Sequence, residues 1–240
     1  MSRFFIDAQL ELGVDLQLTD QVFHHWVKVL RAQIGATATL FNGQGGEYVV
    51  TLIEIGKKTA MVSVDQFNPD NRTPAATILI GQVMSKGDRM DYMVQKATEL
   101  GVSQIQLLTS ERCEMRLKYE RDQKKIDHWQ AIATAACEQC GMNIVPQILP
   151  PLSLEQWLAT DLAETKLVLA PDTEKTDALA NMSQDIALLI GPEGGLSDAE
   201  ISSAQQHGFN NWCIGDRVLR TETAPIVALS VIIYKLQNDF

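Results

Sequence analysis

Three short segments carry the residues whose types and spacing are suited to chemistry, and each follows a predicted buried strand. In parallel α/β sheets, ligands bind just beyond the carboxyl ends of the strands. The segments are LAP at 169–171, IGPEGGL at 190–196 and IGDRVLRTETA at 214–224. Gly194 and Gly195 would let the backbone approach a ligand closely, so that bare N–H groups could bond an adenine, a ribose or a carboxylate. An ordinary loop with a glycine pair is the alternative.

The motifs of several common enzyme classes are missing from the sequence. No G-x-G-x-x-G follows a predicted strand and no G-x-x-x-x-G-K-[ST] is present, so the usual dinucleotide and P-loop fingerprints are lacking. The sequence also has no H-E-x-x-H and no G-x-S-x-G, which removes the usual support for metal-dependent and serine hydrolysis. Cys137 and Cys140 form a single C-x-x-C whose spacing fits one helix face, and we interpret them as thiols without a metal.

Charge is distributed unevenly along the 240 residues. At first sight the net charge of −10 argues against a nucleic-acid partner, because backbone binding depends on Lys and Arg. Residues 155–200 hold two basic residues and ten acids, whereas residues 86–125 hold nine basic residues and seven acids, a local charge of +2. A basic face on an acidic protein is one interpretation of residues 86–125, and a solvated helix surface is the other.

The cysteine count and the apolar runs indicate the compartment. Four cysteines are few for this length and fit a reducing environment. The apolar runs fall far short of the roughly 20 residues that cross a bilayer, and the N-terminus does not have the pattern of a secretory signal. We therefore expect a cytoplasmic protein with no membrane partner.

Short β-branched runs fill the first 74 residues and suggest a small β-barrel. These runs lie at 16–18, 37–43, 47–55 and 60–67. Residues 19–31 have the apolar spacing of one helix face, with Lys28 and Arg31 on the other face. The polar, proline-containing stretch 68–74 is the clearest linker, so we place the domain boundary there, between residues 1–72 and 75–240.

Strands and helices alternate after this linker. The predicted strands are 76–83, 104–110, 165–171, 186–192 and 211–215, and the predicted helices include 86–100, 122–139 and about 223–237. Strands buried on both faces and alternating with helices predict a parallel α/β sheet. Ser197 followed by Glu200 has the spacing of a capping box and predicts the start of a further helix.

The sequence resembles a known enzyme family. ALLIGPEGGLSDAEI at 187–201, followed by IGDRVLRTETAPIVAL at 214–229, looks like the knot region of the SPOUT methyltransferases, specifically the RsmE-type small-subunit ribosomal RNA uridine-N3 methyltransferases. The family's other landmarks are similar to RFFI at 3–6, HHWVKVLR at 24–31, QKATELGV at 95–102 and CEQCGMNIVP at 137–146. The resemblance covers nearly the whole chain, and the combination of GPEGG with LRTETA is specific.

The resemblance implies a fold, a reaction and a partner. It implies a PUA-like β-barrel at residues 1–72, an α/β trefoil-knot domain at residues 75–240 and a homodimer through the knot. The implied reaction is S-adenosyl-L-methionine-dependent methylation of N3 of a uridine in small-subunit (16S) ribosomal RNA, free or in the assembled subunit, without a metal. The alternatives are another ribosomal or transfer RNA base and a non-catalytic RNA-binding module. The implied cofactor-binding residues are Leu169, Ile190, Gly191, Glu193, Gly194, Gly195, Ile214, Gly215 and Leu219.

Arg220 and Glu222 of LRTET are the candidate catalytic residues. N3 of neutral uracil carries a proton, so its methylation needs a group that takes this proton or stabilises the anion. Arg220 could hold the developing oxyanion, and Glu222 could accept the proton or orient the base. The alternative for Glu222 is a helix cap, because the helix dipole favours an acid at that end.

Five cations are candidate RNA contacts, and an ordinary solvated cation is the alternative for each. They are Arg3, Lys28, Arg31, Lys86 and Arg89. Two positions depart from the family pattern: Met142 stands where an Arg is expected, and Asp216 stands in IGDR where LGPR is usual. The first departure removes a candidate RNA-binding cation, and the second adds a negative charge near the cofactor loop.

Overall fold

The computed structural model describes residues 2–115, 119–170 and 178–238 of the chain. Its contacts divide the chain into two compact units. The first comprises Met1–Thr73 with Cys137–Val145, and the second comprises Pro74–Ala136 with Pro146–Phe240. The division after Thr73 falls inside the polar stretch 68–74. The return of residues 137–145 to the first unit has no counterpart in the sequence analysis.

The first unit is built on a five-stranded sheet. The strands are β1 (Ser2–Phe5), β2 (Asp15–Gln17), β3 (Thr37–Phe41), β4 (Glu47–Ile55) and β5 (Ala60–Asn68), in the order β1-β3-β4-β5-β2. The pairing of β1 with β3 is parallel and the other pairings are antiparallel. The four predicted runs are confirmed as strands, and β1 is an addition.

A helical segment between β2 and β3 covers the core of this sheet. It begins as α1 (Asp20–Val22) and continues as a π-helical stretch (Phe23–Val29). Phe23 and Trp26 are buried in a cluster with Phe4, Leu40 and Leu52. Lys28, on the opposite face, is exposed as predicted, but the helical segment ends at Val29, so Leu30 and Arg31 lie beyond it and are also exposed.

The second unit is built on a six-stranded parallel sheet. The strands are β6 (Thr77–Val83), β7 (Gln104–Thr109), β8 (Gln147–Ser153), β9 (Thr165–Leu169), β10 (Asp185–Ile190) and β11 (Asn210–Trp212), in the order β11-β9-β10-β6-β7-β8. The described pairings are all parallel, which confirms the predicted α/β sheet. Because β9, β10 and β11 are parallel, the segments that follow them all begin at the carboxyl end of the sheet.

Five helices accompany these strands in the described ranges from residue 77 onwards. They are α2 (Arg89–Glu99), α3 (Tyr119–Cys140), α4 (Leu154–Leu158), α5 (Asp198–Gln206) and α6 (Ala224–Asn238). The predicted capping box of α5 is confirmed: Ser197 accepts a hydrogen bond from Glu200 N, and the Glu200 carboxylate accepts one from Ser197 N at 2.9 Å. The last turn of α3 contains both Cys137 and Cys140. The strand β8 and the short α4 were not predicted. Among the described helices, none combines the length and the apolar character needed to cross a membrane.

Candidate active site

The segments after β9, β10 and β11 meet around a cavity of about 750 Å³ in the second unit. Trp212 and the last residues of β9 and β10 form apolar walls, and the backbone of residues 190–196 forms a further part of the lining. The cavity brings together eight of the nine proposed cofactor residues: Leu169, Ile190, Gly191, Glu193, Gly194, Gly195, Ile214 and Leu219. Gly215 is exposed in the same segment and is not among the lining residues. Pro171, the last residue of the first segment, lies outside the described residues.

A buried glutamine ties two of these segments together, and the sequence analysis did not identify it. Gln82 near the end of β6 is 1% exposed, and its Nε2 donates to Thr221 Oγ1 at 3.0 Å. Thr221 in turn donates to the carbonyl oxygen of Gly191 at 2.8 Å. A chain of buried hydrogen bonds of this kind fixes the segment that carries Arg220 and Glu222 against the end of β10. The available signal was a polar residue inside the apolar run ILIGQV.

The backbone conformation of residues 190–196, the glycine segment, depends on its glycines. Gly195 has a φ of +68°, a conformation in which other side chains are strained. A Cβ at Gly191 would lie 3.1 Å from the Cγ and the amide nitrogen of Leu196, so the close return of the chain depends on the missing side chain. A Cβ at Gly194 would make only ordinary contact, at 3.5 Å, with Arg112.

Arg112, which also lines the cavity, holds the glycine segment in place, and the sequence analysis did not identify it either. Its Nη1 donates to the carbonyl oxygens of Gly194 and Leu196 at 3.0 and 3.3 Å. The guanidinium thereby satisfies two carbonyl groups of a segment that belongs to neither a helix nor a strand. The basic run 86–125 was the only signal for this role. Two other cations of that run, Arg116 and Lys118, are outside the described part of the chain.

Four charged side chains form a cluster in the cavity wall. Arg89 Nη1 donates to Glu193 Oε1, and Arg89 Nε lies 3.7 Å from Glu222 Oε2. Arg220 Nη1 lies 4.0 Å from Glu222 Oε1. The side chain of Glu222 is 15% exposed and that of Arg220 is 78% exposed. Glu222 Oε2 is buried and has no hydrogen-bond partner among the described residues. The cluster therefore places the Glu222 carboxylate between two guanidinium groups, with Arg89 near the buried Oε2 and the exposed Arg220 near Oε1.

Arg3 is partly buried within the first unit, with a side chain that is 11% exposed. It bonds the carboxylate of Glu47 at 3.3 Å and the carbonyl oxygens of Cys137 and Met142 at 2.6 and 2.9 Å, and it also bonds Asn143. Burial lowers the pKa of Arg3 from its usual value, opposed by the hydrogen bond and the charge of Glu47. These contacts favour a structural role for Arg3, which links β1 to the segment after α3.

Met142 has an apolar environment in the same segment. It is 5% exposed and packs in a cluster with Phe41 and Cys137. Burial in such a cluster suits the thioether, which fills irregular apolar space. This packing gives a physical reason for methionine at the first departure from the family pattern. Asp216, the second departure, is exposed on the segment after β11.

The other candidate RNA contacts differ in their surroundings. Lys28 and Arg31 are exposed at the end of the π-helical stretch, where Lys28 Nζ lies 5.0 Å from the centre of the Phe23 ring. Lys86 is exposed, and a hydrogen bond from its side chain to Glu114 raises its pKa. Arg89 lies in the cavity wall rather than on an open surface. No cluster of three or more metal-binding side chains is present among the described residues.

Comparisons with known proteins agree on one family for this chain. The family model for an RNA methyltransferase domain matches residues 71–233, and that for an RNA methyltransferase PUA domain matches residues 18–65. Ribosomal RNA small subunit methyltransferase E of Buchnera aphidicola subsp. Schizaphis graminum is 34% identical over 96% of this chain and 94% of its own. The protein of the same name from Bacillus subtilis is 29% identical over 99% of this chain and 98% of its own.

A solved structure gives the same result at the level of the fold. The ribosomal RNA small subunit methyltransferase E of Neisseria gonorrhoeae, crystallised with bound S-adenosyl methionine, superposes with a TM-score of 0.90 and 35% identity. The match covers 97% of this chain and 96% of that one. Both units of this chain are therefore represented in a single known protein.

Proposed function

Because the chain belongs to the ribosomal RNA small subunit methyltransferase E family, we propose that it transfers a methyl group from S-adenosyl-L-methionine to N3 of a uridine in small-subunit ribosomal RNA. One observation carries the proposal: a single cavity of about 750 Å³ combines the glycine segment with Arg220 and Glu222. A cytoplasmic location is part of the same proposal.

The residues of the cavity fit the cofactor. Leu169, Ile190 and Trp212 offer apolar surface, and the glycine segment offers backbone close to the cavity. Glu193 and Glu222 add negative charge that is complementary to a cationic sulfonium. When bound, S-adenosylmethionine supplies an electrophilic methyl group. The residues proposed to hold it are the eight lining residues of the cofactor set, with Gly215 shaping the third segment.

In this proposal Glu222 accepts the proton of the base and Arg220 stabilises the negative charge that develops. The nitrogen that is methylated must lose its proton, and the proposed acceptor is the Glu222 carboxylate, whose Oε2 is 3.7 Å from Arg89 Nε and makes no hydrogen bond with a described residue. As the proton leaves, negative charge develops on the uracil carbonyl oxygens. The exposed guanidinium of Arg220 is able to reach a base at the cavity mouth and to stabilise that charge through its paired N–H groups.

A trefoil knot and a homodimer complete the proposal. The resemblance to the knot region covers residues 187–201 and 214–229, the segments that line the cavity. Val218 and Tyr234 are 79% and 70% exposed, and Val231 lies one turn before Tyr234 on α6. Exposed apolar side chains of this kind suit an interface between two copies. Sedimentation over a range of concentrations tests the interface: a dimer is expected, and a monomer at every concentration would contradict it.

Methyl transfer to RNA tests the proposed activity. The protein is incubated with methyl-labelled S-adenosylmethionine and with free ribosomal RNA, assembled small subunits or transfer RNA, each purified from cells lacking the protein. Label is expected in small-subunit RNA and is expected to fall sharply in Glu222→Gln. Glu155→Gln, the same substitution at an exposed carboxylate on α4, serves as the control that keeps full activity. Label in transfer RNA alone, or RNA binding without label, would refute the proposal.

A further inference from the structure

Arg89 occupies a position that links both functional segments. It is the first residue of α2, and its guanidinium reaches the carboxylates of Glu193, after β10, and Glu222, after β11. Its side chain is 39% exposed, against 15% for Glu222. Glu193 is held a second time, because the backbone N–H of Lys86 donates to the same Oε1 at 3.2 Å. Glu222 has no such second support at its buried oxygen Oε2.

The two cations beside Glu222 differ in what they can do. Arg220 approaches Oε1 at 4.0 Å from a side chain that is 78% exposed, so it is free to exchange that contact for a substrate. Arg89 approaches Oε2 at 3.7 Å while its Nη1 donates to Glu193. A guanidinium engaged by two carboxylates on different segments has little freedom to turn towards a phosphate. This geometry distinguishes Arg89 from a solvated RNA-binding cation.

We propose that Arg89 is a positioning residue that fixes the Glu222 carboxylate in the cavity wall while Arg220 contacts the substrate. The inference rests on the proposed methyl transfer, because it assigns Arg89 a part in that reaction. In the proposed reaction, Arg89 itself contacts neither the cofactor nor the base. Its effect passes through the orientation of Glu222, so its removal affects turnover rather than RNA affinity.

A double-mutant cycle on the full-length protein tests this role. The variants are Arg89→Met, Glu222→Gln and the two combined, measured for kcat and for the KM of small-subunit RNA at several salt concentrations. Arg89→Met is expected to lower kcat at least about 10-fold through misplacement of the carboxylate, with the KM and its salt dependence unchanged. In the Glu222→Gln background the same substitution is expected to change kcat less than about twofold, because residues that act through one another are not additive.

Two further variants separate positioning from folding. Arg89→Lys keeps a cation and is expected to recover part of the lost kcat, although it lacks the planar fork. Lys96→Met removes a cation on the same helix that bonds Glu99 at 2.7 Å, and it is expected to leave all parameters unchanged. Equal losses in Arg89→Met and Arg89→Lys, accompanied by a lower unfolding midpoint, would overturn the positioning role.

The remaining outcomes distinguish this inference from the activity on which it rests. A raised KM with a flatter salt dependence and an unchanged kcat would make Arg89 an RNA contact and overturn the inference alone. Additive losses in the double variant would do the same, because Arg89 would then act independently of Glu222. A wild-type protein that transfers no methyl group would refute the proposed function and the inference together.

Discussion

Replacing Arg220 with alanine is expected to remove turnover while leaving the fold intact. Among the described residues, this side chain makes its charged contact with Glu222, at 4.0 Å, and it is 78% exposed. Exposed ion pairs contribute about 1 kcal/mol or less, since water screens the charges. The free energy of unfolding should therefore fall by no more than about 1 kcal/mol.

The expected effect on catalysis is much larger. If the guanidinium stabilises charge that appears on the uracil oxygens only as the proton leaves, its loss raises the barrier without weakening the ground state. Removal of one oxyanion donor costs roughly 10²- to 10³-fold in kcat, or about 2.7–4 kcal/mol. Arg220→Lys should recover only part of this loss, because a point charge cannot reproduce the two-pronged contact.

Three measurements on the same variants check this reasoning. Steady-state methyl transfer gives kcat, calorimetry gives the dissociation constant of S-adenosylmethionine, and urea denaturation gives the free energy of unfolding. The expected pattern is a kcat lowered by at least about 10²-fold with a cofactor affinity within a few-fold of wild type. Near-normal turnover in Arg220→Ala, or a loss of turnover that accompanies unfolding or dissociation, would make Arg220 structural and refute the catalytic assignment.

Three further predictions concern the glycine segment, the barrel and a half-buried acid. Gly195→Val should weaken cofactor binding by calorimetry roughly 10-fold or more, because φ is +68°, whereas Gly13→Val, strained at +75° in the first unit, should not. Lys28→Ala and Arg31→Ala should each reduce the salt slope of RNA binding by about one phosphate, and an unaltered slope in the double variant would contradict this. Burial raises the pKa of Glu138, so its charge destabilises the fold above that pKa. Glu138→Gln should therefore raise the urea midpoint at pH 7, and the gain should vanish below about pH 4, where the carboxyl is protonated in both states.

The sheet of the second unit could be predicted because burial on both faces leaves a continuous apolar run. The strand β10, with the sequence DIALLI, is buried at five of its six positions between β9 and β6. The start of α5 could be predicted as well, because a capping box is a local arrangement of two residues, Ser197 and Glu200. These two kinds of local signal were enough to predict the carboxyl end of the sheet, where the segments that line the cavity begin.

Two outermost strands, β8 of the six-stranded sheet and β1 of the five-stranded sheet, were not predicted, and each has a physical reason. The strand β8 contains Pro150 and Pro151, which cannot donate to a ladder and therefore argue against a strand. The sheet tolerates them because β8 is its last strand. The parallel pairing of β1 with β3 depends on residues about 36 positions apart, such as Ser2 and Ala38, and no periodicity in the chain reports such a pairing.

The composition of the site was predictable, and its charge pairing was not. Residues that follow buried strands line the cavity, as the strand pattern predicts. A cation in the sequence carries no information on which acid it meets. Arg3 pairs with Glu47 and Arg89 with Glu193, 44 and 104 positions away, and only the fold brings these groups together. The same holds for Gln82 and Thr221, which lie 139 positions apart.

Nucleoside analysis of methylated RNA tests the central proposal most directly. Small-subunit RNA from cells lacking the protein is incubated with the purified protein and labelled S-adenosylmethionine, digested to nucleosides and separated against methylated standards. The label is expected to co-migrate with 3-methyluridine and to amount to one methyl group per RNA molecule at most, and Glu222→Gln is expected to reduce it strongly. Label in any other nucleoside would refute methylation at N3 of uridine, and 3-methyluridine formed equally well by Glu222→Gln would refute the role of Glu222.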